Sequence, residues 1–158
     1  MAEAITLANA HEFVGREFGV TDWVFVDQMQ TNVFGEVTRW RTPGHCDPEY
    51  AKRESPWGGT ILHGFMAVSL LTHFAELTRP ADARGFLNYG LDKVRVLSPL
   101  LIGDGVRLRS RVTLMAVTDK PDGCKLFKTG HVIEAEGADE PFVYAEFLAY
   151  WYPPGYAA

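Results

Sequence analysis

A chain of 158 residues, 47% hydrophobic and 22% charged, has the size and composition of one globular domain over 1–158 and excludes a disordered or fibrous polypeptide. Its formal net charge of -5 excludes the concentrated basic face on which nucleic-acid binding depends. The longest apolar run, FMAVSLL, is too short to span a membrane. Two separated cysteines and no hydrophobic leader predict a cytoplasmic protein without disulfides.

In chain order, Thr6 has the residue type of a helix N-cap, and Leu7, Ala10 and Val14 predict a short helix over 6–14 that ends at Gly15. Asp27 caps a second predicted helix, DQMQTNVFGEV, in which Met29, Val33 and Val37 form one stripe. From Thr60 to Leu77 the residues are small or apolar almost all round, which predicts one long helix, about 27 Å from end to end, buried on nearly every face. Pro80 forbids its continuation.

The period then changes to two. Segments 86–97, 105–117, 125–136 and 141–152 read as strands, separated by turn residues at Ser98-Pro99, Gly103-Asp104-Gly105, Pro121-Asp122-Gly123 and Gly137-Ala138-Asp139. Short connections predict antiparallel neighbours, and the last strand, apolar on both faces, belongs in a covered position. Arg107, Arg109 and Arg111 alternate with apolar residues and read as a solvated strand face; the alternative is an anion contact, for instance with carrier phosphates. The expected architecture is α+β, an antiparallel sheet wrapped around one long buried helix. Pairing of two such sheets completes their edges and predicts a homodimer.

Chemistry concentrates in two places. His63-Gly64 opens the buried helix after Gly58-Gly59, where first-turn N–H groups can hold a carbonyl and Gly64 lets a ligand approach the backbone. His45 lies in PGHCDPEYA, where Asp47 and Pro48 look like the cap and first residue of another helix. A loop histidine alone is more often a packing residue; the second histidine-glycine pair is what makes this a candidate proton-transfer site. His11 and His73 read as packing or solvent residues, His131 alternates into a strand, and Cys46 reads as a packed thiol. No histidine pair has zinc-site spacing and no phosphate-cradling loop is present, so neither metal nor cofactor is expected.

HCDPEYAKRESPWGGTILHGFMAVSLL resembles the hydratase-2 signature of MaoC-like dehydratases, specifically the NodN-like branch of the hot-dog superfamily. The likeness runs from DWVFVDQMQTNVF through NYGLDKVRVLSPLLIGDGVRLRSRV to the aromatic last strand. It implies a hot-dog fold and the addition or loss of water at a 2-enoyl thioester carried on coenzyme A or a carrier protein. The family pattern before the histidine is T-G-D-x-N-P-x-H. By that match Thr38 is the threonine, His45 the catalytic histidine, Gly64 the donor to the thioester carbonyl and Asp47 the aspartate of H-x-D-P, while Thr72 falls where relatives carry a hydroxyl.

The departure is at Trp40, which stands at the aspartate position, and Thr42, at the asparagine position. An indole neither titrates nor accepts a hydrogen bond. His45 therefore works alone, or with Asp47 or Glu36, as a dehydratase or a single-base isomerase. Otherwise the scaffold binds an acyl or aromatic ligand without turnover, or hydrolyses a thioester with Glu76 as activator. Trp40, Thr42, His63, Thr72, Trp57 and Tyr89 are the candidate substrate contacts, with Phe65 a further aromatic neighbour. A flat apolar wall at the reacting end predicts a cyclic or polyketide-like substrate over a straight fatty acyl chain.

Overall fold

The computed structural model describes residues 4–157. Its strands are β1 (Glu17–Val20), β2 (Val24–Val26), β3 (Gly85–Val96), β4 (Val106–Asp119), β5 (Lys125–Ala135) and β6 (Val143–Tyr152). Its α-helices are α1 (Gln28–Thr38), α2 (Pro43–Cys46), α3 (Pro48–Glu54), α4 (Gly64–Ser69) and α5 (Leu71–Phe74). The four long strands are those the two-residue period predicts. Strict alternation of buried and half-buried positions along β6 turns Val143, Ala145, Phe147, Ala149 and Trp151 inward.

The sheet order is β1-β4-β5-β6-β3, with β2 also on β4, and every pairing is antiparallel. β6 is interior, as expected. β3 and β4 are not neighbours, contrary to expectation. Their connection does not turn back as a hairpin. It runs beside residues 60–62, with Leu62 N–H donating to Leu100 O (2.8 Å) and Ile102 N–H to Thr60 O (3.0 Å), and this carries β4 to the far side of the sheet. The short strands β1 and β2 were not anticipated.

The single long helix over 60–77 is replaced by consecutive segments. Residues 60–62 are extended, with Ile61 bridging Leu101; α4 starts at Gly64, α5 follows at Leu71, and a 3-10 turn over Ala75–Thr78 ends the run. Ser69 donates its hydroxyl to Phe65 O at 2.8 Å, the kind of side-chain competition that bends helices, and Leu70 closes α4. Burial is also one-sided. Ala67, Leu71, Phe74 and Ala75 pack on the sheet, whereas Phe65 is 73% exposed.

Asp27 caps α1 as predicted, exchanging hydrogen bonds with Gln30 in a capping box. The stripe of Met29, Val33 and Val37 faces outward, and α1 docks through Thr31 and Gly35. Near the N-terminus Thr6 Oγ1 accepts Asn9 N–H (3.2 Å), but only Ala10–Phe13 forms a helix, of 3-10 type. The β4 arginines face solvent as expected and are matched by carboxylates: Arg107 with Glu136, Arg109 with Glu134, Arg111 with Glu17 and Glu134.

His131 is fully buried on β5, held by Ser110 Oγ at Nδ1 (3.0 Å) and Thr129 Oγ1 at Nε2 (2.8 Å). Burial pushes its pKa from 6.5 down to about 4. The unfolded chain takes up the proton first, so this contribution is full above pH 6.5 and is lost as pH falls toward 4, on the order of 3 kcal/mol. Denaturant titrations across that window should show a shallower loss of stability for His131→Gln than for the unaltered protein.

Candidate active site

The site is assembled by the ends of short elements. α1 terminates at Arg39, whose φ of 60° lies in the left-handed region, and the cap is closed by Trp40 N–H donating to Gly35 O at 3.0 Å. The chain then enters α2 through Thr42 and Pro43, proline at the first helical position being pre-set for the turn. His45 follows one residue before buried Cys46. Ile61 N–H donates to Gly44 O at 3.1 Å, so the strand-like segment 60–62 is stitched to α2 and delivers His63 and Gly64 beside His45.

The ring of His45 is fixed from two directions. Its Nδ1 lies 2.7 Å from Ile61 O. A carbonyl only accepts, so Nδ1 carries the hydrogen and Nε2 of the neutral ring is left with its lone pair. One face stacks on His63, ring centroids 3.9 Å apart at 29°. His63 is itself buried, with Phe34 at 5.3 Å and Cys46 Sγ 3.9 Å from its Nε2. Burial, and then the charge of His45, hold the His63 pKa down at about 4, so it is a neutral support at ordinary pH. Burial pushes the Cys46 thiol up, in agreement with a packed rather than a reactive sulfur.

Trp40, His45, His63 and Gly64 line one cavity of about 240 Å³, together with Phe34, Thr38 and Phe65. His45, Gly64 and Phe65 also line a second cleft of about 420 Å³, which adds Trp57, Val96 and the 97–99 turn. The His45 ring thus stands where two hollows meet. Trp40 is 63% exposed, which puts the indole at the mouth of the smaller hollow. No carboxylate lines either hollow among the described residues.

Other sequence candidates lie elsewhere. Asp47 caps α3, accepting Tyr50 N–H at 2.9 Å, and its carboxylate is turned from the histidine to that task. Thr42 contributes its main-chain carbonyl to α2, accepting from His45 and Cys46 N–H. Thr72 contacts Asn88, and Tyr89 stacks on Tyr150 on the outer side of β3. Glu36 pairs with Arg41 (2.6 Å) and Glu76 with Arg79 (3.0 Å), both on the surface. Phe34 and the Ile61 carbonyl were missed. Neither has a local signal: one is a helical apolar residue, the other a main-chain group.

Comparison with known proteins starts from a family model described as MaoC like domain, which matches residues 9–133. The chain belongs to the MaoC-like family. This MaoC-like chain is 34% identical to Nodulation protein N of Rhizobium leguminosarum bv. viciae over 148 residues, 91% of this chain and 89% of the relative. It is 33% identical to 3-hydroxyacyl-thioester dehydratase Z of Mycobacterium tuberculosis over 144 residues, 90% and 93% of the two chains. The (R)-hydratase PhaJ1 of Pseudomonas aeruginosa superposes with a TM-score of 0.67 at 19% identity, covering 92% of this chain and 84% of that one, which establishes the hot-dog fold.

A Cβ added at Gly64 would sit 2.6 Å from Val96 Cγ2. Gly64→Ala should therefore destabilise the protein by about 1–3 kcal/mol. Val96→Ala in the same chain should restore most of that loss, as read from urea unfolding midpoints.

Proposed function

We propose that this MaoC-like protein is a hydro-lyase that removes water from a 3-hydroxyacyl thioester or adds it to the 2-enoyl form, with His45 performing both proton transfers. One observation carries the reading: His45 is held with hydrogen on Nδ1 by the Ile61 carbonyl and borders the same cavity as Gly64, where no carboxylate lines the wall.

In the dehydration direction Nε2 of His45 takes the proton from the carbon next to the thioester carbonyl. The electron pair moves into the carbonyl, whose oxygen accepts the main-chain N–H of Gly64 in the first turn of α4. The pair then returns to form the carbon-carbon double bond as the 3-hydroxyl departs. The imidazolium gives the same proton to that hydroxyl, which leaves as water, and His45 is neutral again. A single ring suffices because both transfers occur on one face.

The dehydratase named among the relatives supports this class of reaction. Trp40, Phe34, Phe65 and Trp57 around the two hollows support a flat, cyclic or polyketide-like acyl group over a narrow fatty chain. The carrier is coenzyme A or a carrier protein. The paired β4 arginines give no support to a phosphate contact there. Leu87, Tyr89 and Leu91 are exposed on the edge strand β3, and joining two such edges in a homodimer would cover them. Two free, buried thiols suit a reducing cytoplasm. The absent carboxylate also favours a second reading, isomerisation of the double bond by the same base, which differs in releasing no water.

His45→Ala should lower turnover by about 10²–10⁴-fold. With crotonyl-CoA the unaltered protein should stay well below about 10 per second, a typical enzymatic rate, while Trp40→Asp should raise that rate. Equal activity of His45→Ala and the unaltered protein would refute the mechanism, and double-bond migration without uptake of labelled water would select the isomerase.

A further inference from the structure

α2 is a single turn, so its last carbonyls have no helical partners. The His45 carbonyl finds one in a side chain from another element. Gln28 Nε2, at the start of α1, donates to His45 O at 2.7 Å and to Asn32 Oδ1 at 2.8 Å. Gln28 Oε1 accepts the hydroxyl of buried Thr60 at 2.5 Å. Thr60 immediately precedes Ile61, whose carbonyl holds the ring of the same histidine. One carboxamide therefore closes a loop: the backbone of His45 to Gln28, Gln28 to Thr60, and the 60–61 segment back to the imidazole.

We infer that Gln28 is a positioning residue for His45. It does not border either hollow at the imidazole; it faces a separate depression with Gly58, Gly59 and Thr60. Its influence is on the angle at which the backbone presents the ring to Ile61 O, and hence on which nitrogen keeps the lone pair. The need for both a donor and an acceptor explains the residue type. A glutamate could accept from Thr60 but would repel the His45 carbonyl, and a leucine could do neither. The consequence for turnover rests on the hydro-lyase reading, whereas the effect on the ring does not.

Imidazole nitrogen NMR on the full chain, at a pH where histidines are neutral, tests this without substrate. The unaltered protein should show His45 as one tautomer with hydrogen on Nδ1. Gln28→Leu and Gln28→Glu should each give a mixture, while the signals of His131, buried on β5 between Ser110 and Thr129, stay unchanged and report an intact fold. Thr60→Val should shift His45 in the same sense, and Thr60→Ser, which keeps the hydroxyl, should not. With a thioester substrate, Gln28→Leu should lower kcat on the order of tenfold or more at nearly constant KM, the signature of a misplaced reacting group. A single unchanged His45 tautomer in Gln28→Leu, or in Thr60→Val, would overturn the assignment. Loss of the tautomer in a protein that turns over no thioester would uphold the positioning role and count against the hydro-lyase.

Discussion

The site depends on the main chain of one residue. Ile61 offers its N–H to Gly44 and its carbonyl to the ring of His45, while its neighbours Thr60 and Leu62 bond the other way, to Ile102 and Leu100. Residues 60–62 are thereby kept out of the helix that follows, which the apolar side chains of Ile61 and Leu62 would otherwise join. That interruption is what starts α4 at Gly64 and puts its first N–H groups beside an imidazole. These are main-chain contacts, so they specify the position of residue 61 more than its side chain.

Much of the fold was legible because it is written in local periods. Alternation gave the four long strands, Asp27 announced its cap, and Pro80 ended the helical run. That His45 and Gly64 meet at one cavity was legible too, since each sits at a recognisable turn-to-helix junction. What failed was what locality does not encode. Ile61 and Leu62 satisfy a helical pattern equally well, and only pairing with residues some forty positions away decides against it. The adjacency of β3 and β6 is likewise a long-range pairing with no mark in the intervening turns. Gln28 and Ile61 act through amide and carbonyl groups, which motif reading passes over.

The electrical character of the cavity bears on its chemistry. A carboxylate about 4 Å from an imidazolium would stabilise it by about 4 kcal/mol at an effective dielectric constant near 20. Here the neighbours are a neutral, buried His63, an indole and phenyl rings. No carboxylate stands among them to hold a positive charge.

The left-handed cap at Arg39 bears on what residue 40 can hold. Resemblance to the family pattern aligns Arg39 with a glycine, the residue that takes that conformation most readily, and Trp40 with the aspartate after it. The turn is nevertheless closed by backbone groups, Arg39 N–H and Trp40 N–H to carbonyls of α1, which are indifferent to either side chain. Residue 40 is thus a socket: its occupant can be exchanged between an acid and an aromatic without dismantling the scaffold that holds His45. The indole can therefore set the shape and polarity of the cavity mouth independently of the contacts that fix the imidazole.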